Sequence, residues 1–179
     1  MHKWIGTPLG VGAFYIRKSR LDAIDSDAGN NNFGGTSAGA TAESRIHTGT
    51  VDMAAQLTVP AALAFQGAIG TPARAARLRW LRDRWAEELR NLPGLEILTP
   101  ADPTLHAGIT AFRLRGRTSV ADNVAVVKIL LDEFGIFTVQ RADAANGACV
   151  RVTPALFTSP THVDALVKAL RIIVPRMAV

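Results

Sequence analysis

From residue 95 onward the chain switches repeatedly between two hydrophobic periods, and the order of those switches is its tightest constraint on fold. Residues 95–98 (LEIL) and 108–115 (GITAFRLR) read as strands, the second alternating as a half-buried strand does. Ser119 and Asp122 resemble a capping box. They open a helix whose apolar face is expected to hold Val120, Val124, Val127, Leu131 and Phe134, closed by Gly135. Residues 137–139 and 149–152 read as two further strands, and Ser159-Pro160 starts a last helix. Its stripe is Val163, Leu166, Val167, Leu170 and Val174. Strand, strand, helix, strand, strand, helix describes a small α+β unit.

The upstream part has a different texture. Thr71-Pro72 reads as an N-cap with proline at the first helical position, and Leu78, Leu81, Trp85 and Leu89 recur at helical spacing until Pro93-Gly94. Residues 51–69 are rich in small residues and read as helical, with Pro60 kinking the helix or starting a second piece. Residues 11–17 (VGAFYIR) read as a strand, and 18–24 as one helical turn. Residues 25–43, with three consecutive asparagines and a glycine pair, read as a surface loop or as a lid or intersubunit loop. Residues 1–70 thus read as the end of something larger. The expected division is 1–94 against 95–179.

Composition narrows the function classes. A hydrophobic content of 48% argues against disorder. Lys+Arg 20 against Asp+Glu 15 gives +5, which invites a nucleic-acid reading. Much of that excess lies on the helix at 74–90 without interleaved aromatics in a groove, so a solvated helix face is the better account and no nucleic acid is expected. The single cysteine, Cys149, excludes an internal disulfide and a cysteine zinc site and points to a reducing cytoplasm. No apolar run approaches a membrane span in length.

Three short motifs could carry chemistry. His2-Lys3 precedes a segment with Gly6, Gly10 and Gly12. A lysine beside an apolar wall loses proton affinity, and a neutral amine attacks carbonyls and is the usual attachment point of pyridoxal phosphate. Taken alone, the pair reads as surface residues. The lysine precedes the glycines, so this is not a phosphate loop, and it is no dinucleotide fingerprint either. His47-Thr48-Gly49-Thr50 stands before an apolar helix, where amides and a hydroxyl suit a phosphate or merely an N-cap. Arg151 lies in a strand, with Thr153 on its face and Val150 and Val152 on the other. A guanidinium held there suits bidentate pairing with a carboxylate.

In this order, the motifs resemble the C-terminal half of the class V pyridoxal-phosphate aminotransferase family, of fold type I. The matching stretches are HKWIGTPLGVGAFYIRK, the TGT before an Ala-rich helix, LPGLEILTP, the turn from Gly135 to Val139, and RVTPALFTSPTHVDALVKAL. The HKW signature is most similar to the isopenicillin N epimerase-like branch. The resemblance implies an α/β fold: the tail of the family's large cofactor-binding domain, with an incomplete sheet, over 1–94, and the small C-terminal α+β domain over 95–179. It implies that Lys3 carries the cofactor and shuttles protons at the substrate's alpha carbon, and that His2 helps hold the cofactor phosphate. Gly49 and Thr50 would reach the phosphate of a neighbouring subunit's cofactor, which implies a homodimer. Arg151 would clamp the alpha-carboxylate of an amino acid or related substrate.

Two departures shape the expectation. Desulfurases in this family carry a reactive cysteine on the loop that here reads QRADAANG (140–147), and Cys149 instead falls in a strand, where a buried thiol is inert. Full family members also have a long segment before the lysine that supplies the phosphate turn, the ring-stacking group and the acidic partner of the ring nitrogen. A truncated gene, a misassigned start or a split protein would each give this arrangement. The expectation is a C-terminal enzyme fragment, inactive or incomplete alone. The alternative is a non-catalytic oligomerisation or binding module derived from the same fold.

Overall fold

The computed structural model describes residues 1–23, 50, 52–142 and 146–177. Its contacts divide into two units, Met1–Ile69 and Gly70–Val179. The loop expected at 25–43 lies outside the described residues.

The first unit opens on a turn in which the Ile5 and Gly6 amides donate to the Met1 carbonyl. Residues 11–17 form no strand. Their apolar, β-branched composition was sufficient for an extended backbone, but a strand also needs a ladder partner. Here Phe14 and Tyr15 stand 62% and 86% exposed. A 3-10 turn follows at Lys18–Ala23. Helix α1 (Met53–Leu57) is capped by Asp52, whose carboxylate accepts from the Ala55 amide at 3.1 Å. Helix α2 (Val59–Ile69) follows after a break at Thr58. Pro60 occupies its second position, so the proline starts a new piece rather than kinking one helix. Gln66 ties α2 to the opening turn by donating to the Ile5 carbonyl at 2.9 Å.

The second unit begins one helix earlier than residue 95, because α3 (Thr71–Leu89) packs on the last helix and the first strand. The turn into α3 is made by Gly70 at φ +83°, so Thr71 is already helical and Pro72 is its second residue rather than its first. Four antiparallel strands follow: β1 (Leu95–Ile97), β2 (Thr110–Leu114), β3 (Val139–Arg141) and β4 (Cys149–Val152), in the spatial order β1-β2-β4-β3. Helices α4 (Val120–Phe134) and α5 (Pro160–Met177) complete the unit. Leu95, Phe112, Leu114 and Val150 of the sheet share one core with Leu81, Trp85 and Leu89 of α3, Leu130 of α4, and Leu166, Leu170 and Ile173 of α5. Trp85 meets Phe112 edge-on at 5.9 Å between centroids, a geometry worth about 1 kcal/mol beyond area burial.

The α5 stripe read from sequence is buried in full. The α4 face is not the expected one. Asn123, Val126 and Leu130 are buried, whereas Val120, Val124 and Leu131 are 49%, 47% and 47% exposed. Asn123 can face inward because its amide donates to the carbonyls of Arg117 and Ser119 at 3.1 and 2.9 Å. Those acceptors come from the capping turn itself, where Ser119 caps the Asp122 amide as predicted. Gly135, at φ +65°, closes the helix, and the Ile136 amide reaches back to the Leu130 carbonyl.

Candidate functional site

His2 and Lys3 sit on the opening turn of the first unit, and both are exposed. Among the described residues Lys3 makes no hydrogen bond or ion pair, so its amine is available to a carbonyl. No described residue of this unit buries the Lys3 side chain. Thr50 is exposed ahead of α1, and Gly49 lies outside the described residues. The helix start expected to present amides at Thr50 is instead capped by the Asp52 carboxylate. That leaves the Thr50 hydroxyl as the described phosphate donor at this end. Lys3 and Thr50 thus offer an amine and a hydroxyl, group types that suit an aldehyde and a phosphate respectively. The described residues do not enclose the ring of pyridoxal phosphate.

Arg151 belongs to the second unit. It stands on β4, an interior strand, between Ala111 of β2 and Val139 of β3. The pleat places it opposite the core face, as the sequence alternation predicted, and Val150 is fully buried on the other side. Ala111 is a small cross-strand neighbour, and the Arg151 Nε is buried without a hydrogen-bond partner among the described residues. A buried N–H without an acceptor costs about 1–3 kcal/mol, a cost that a carboxylate reaching this guanidinium would relieve once the side chain turns toward it.

Sequence reasoning missed the surroundings of Arg151. Arg113 and Arg141 share its sheet face, and only their register on adjacent strands reveals it. Arg113 is bound by Glu96 at 2.8 Å, and that guanidinium holds the Glu96 carboxyl below the usual carboxylate range. Cys149 is buried on this face, and burial pushes its thiol pKa up, against the opposing pull of the three arginines. The buried position expected from sequence is the one the structure gives this thiol. A second miss is Arg82, read as part of a solvated helix face but 1% exposed. It donates to Thr110 Oγ1, Asp83, Glu87 and the Pro100 carbonyl.

A cavity of about 370 Å³ lies on the helix side of the second unit, lined by Trp85, Thr138, Pro154 and His162 among others. Its lining includes none of the candidate site residues His2, Lys3, Gly49, Thr50 and Arg151. Among the described residues no cluster of His, Cys, Asp and Glu could hold a metal ion. No single helix there is long and apolar enough to cross a membrane.

Comparison with known proteins places these features in a family frame. The aminotransferase class-V family model matches residues 1–155. Isopenicillin N epimerase of Amycolatopsis lactamdurans is 32% identical over 95% of this chain, and the chain spans 44% of that relative's length. A cysteine desulfurase from Thermococcus onnurineus NA1 superposes with a TM-score of 0.75 at 19% identity, covering 97% of this chain and 45% of that one. A variant of C-DES with glycine covalently linked to its PLP cofactor gives 0.70 at 23% identity, over 94% and 43% of the two chains. At these identities the two structures show the fold.

Proposed function

The chain belongs to the aminotransferase class-V family, in its isopenicillin N epimerase-like branch, and from that premise we propose that it is the C-terminal part of a pyridoxal-phosphate-dependent enzyme acting at the alpha carbon of an amino acid. The observation that carries this reading is Arg151: a guanidinium on an interior strand, with a buried Nε that has no acceptor among the described residues. Such a group orients a substrate carboxylate rigidly, and orientation decides which alpha-carbon bond breaks. When bound, pyridoxal phosphate supplies an electron sink for the carbanion that follows. Lys3 would attach the group through its amine and then hold or return the alpha proton. His2 and the hydroxyl of Thr50, with Gly49, would contact phosphate oxygens, Thr50 and Gly49 reaching across a homodimer. The cytoplasm is the compartment we assign, which suits the free, buried Cys149. Residues 1–94 would descend from the large cofactor-binding domain and 95–179 from the small one, although α3 packs with the latter. The chain alone would be incomplete as a catalyst, a reading supported by its span of under half the relatives' length.

One observation favours the second reading, a non-catalytic oligomerisation or binding module. Helix α2 carries no charged residue and buries none of its residues, with Leu63 48% and Phe65 65% exposed. A helix apolar all round is built to be covered by other polypeptide. The two readings separate at Lys3. The purified chain is mixed with pyridoxal phosphate, reduced with borohydride and mapped by peptide mass. An adduct concentrated on Lys3 and absent from Lys3→Ala supports the enzyme reading. Label spread evenly over Lys18, Lys128 and Lys168, unchanged by Lys3→Ala, refutes it.

A further inference from the structure

The sheet face that carries Arg151 is richer in positive charge than one carboxylate requires. Val139 pairs with Arg151, and Arg141 pairs with Cys149, across β3 and β4. Ala111 pairs with Arg151 across β2 and β4, and continuing that register by one residue sets Arg113 on the other side of Cys149. Side chains two apart in a strand share a face. Arg113 and Arg141 therefore flank the buried thiol, and each is a diagonal neighbour of Arg151. All three arginines lower the thiol's pKa, which reports their charge at one point.

The three are not equivalent. Arg113 is committed to Glu96 and to the Asn146 carbonyl, at 2.8 Å each. Arg141 is exposed and, among the described residues, donates one bond, to the Gln140 carbonyl at 2.9 Å. Neither Arg141 nor Arg151 has a carboxylate partner among the described residues. Diagonal neighbours lie about 7–8 Å apart, their Cβ atoms somewhat closer, so two long guanidiniums there repel one another and can close on the two ends of a short dianion.

We propose that Arg141 is a second anion-holding position beside Arg151, so that the substrate is an acidic amino acid bearing a second carboxylate at the end of a short side chain. This rests on the reading of Arg151 as the alpha-carboxylate clamp. Arg151 takes one carboxylate and Arg141 the other, while Arg113, held by Glu96, adds field without offering free donors. Chain length between the two acidic groups then becomes a specificity determinant.

The test uses the full chain labelled with nitrogen-15, following arginine Nε–H signals while glutarate or pentanoate is titrated. Glutarate should bind about tenfold tighter, the equivalent of one added charge-assisted hydrogen bond. Arg141→Gln should reduce glutarate affinity to that of pentanoate and leave pentanoate unchanged. The variant's thermal melt should match the parent's, since Arg141 is exposed. Equal affinities in the parent, an Arg141→Gln change that alters neither ligand, or sulfate competing as well as glutarate would each overturn the second position. Arg151→Gln separates the two ideas. If it abolishes pentanoate binding while Arg141→Gln is silent, only the second position falls. If pentanoate ignores Arg151→Gln, the clamp reading falls and takes the second position with it.

Discussion

Replacing Arg82 should unfold the second unit more readily than replacing any other charged residue on α3. The side chain is 1% exposed, and its guanidinium joins the helix to β2 through Thr110 Oγ1 at 3.0 Å and to the following loop through the Pro100 carbonyl at 3.1 Å. Its two carboxylate partners, Asp83 and Glu87, are 46% and 44% exposed, so water replaces the lost cation and that part is worth about 1 kcal/mol or less. Thr110 is 1% exposed, and stranding its hydroxyl costs about 1–2 kcal/mol. Truncation to alanine also removes buried methylenes at about 0.8 kcal/mol each. Arg82→Ala should therefore lose about 4 kcal/mol, a shift of about 15 °C in Tm for a unit of this size. Arg82→Met keeps the methylenes and should lose about half as much. Urea unfolding followed by tryptophan fluorescence gives both numbers. In a Thr110→Val background the Arg82→Met loss should shrink, because the hydroxyl is no longer there to strand. A loss below about 1 kcal/mol for Arg82→Ala, with unchanged m, would refute the clamp.

Two further outcomes follow from backbone geometry and charge. A Cβ at Gly147 would stand 2.7 Å from the Thr118 carbonyl oxygen at φ +114°, whereas Gly116, at φ +81°, has nothing within 4 Å. Gly147→Ala should cost at least twice the roughly 1 kcal/mol of strain expected for Gly116→Ala, and equal melting shifts would contradict the packing described for the turn before β4. The Arg113 guanidinium depresses the Glu96 carboxyl, so this pair stabilises the fold above the unfolded-state value of about 4.3 and its contribution is lost as pH falls through the lower folded-state value. Melting temperatures measured from about pH 6 to 2 should therefore converge for the parent and Glu96→Gln at the acid end; a constant gap across the range would show that the pair is not titrating as described.

The legible part of the fold is the part whose signals are local. Ser119 as a cap, Gly135 as a helix stop and the α5 stripe depend on residues within a few positions of each other, and each was readable before any contact was known. Two of the failures turn on partners distant in sequence, and the third, on α4, on a local turn that exists only once folded. Residues 11–17 have strand composition without a ladder, since nothing local supplies the second strand. On α4 both candidate faces are apolar, and the choice fell to Asn123, whose amide finds acceptors only in the folded capping turn. Arg82 has the sequence context of a surface cation, yet Thr110, 28 residues away, and Pro100 draw it inside.

The same division explains what could be read of the candidate site. His2, Lys3 and Arg151 are legible as candidates because each sits in a motif of contiguous residues, and the order of those motifs carries the family. Arg113 and Arg141 belong to no motif. Their nearness to Arg151 is created by antiparallel pairing alone, which sets Arg113, 38 positions away, and Arg141, 10 positions away, on its face and leaves, among the described residues, a single carboxylate, Glu96, beside the three guanidiniums. Concentrated like charge is unfavourable in a resting fold. Among the described residues the fold offsets one of the three, through the 2.8 Å pair with Glu96. Its persistence on a rigid sheet, beside a strand that already presents Arg151, is the physical reason to look for an anionic ligand with more than one acidic end.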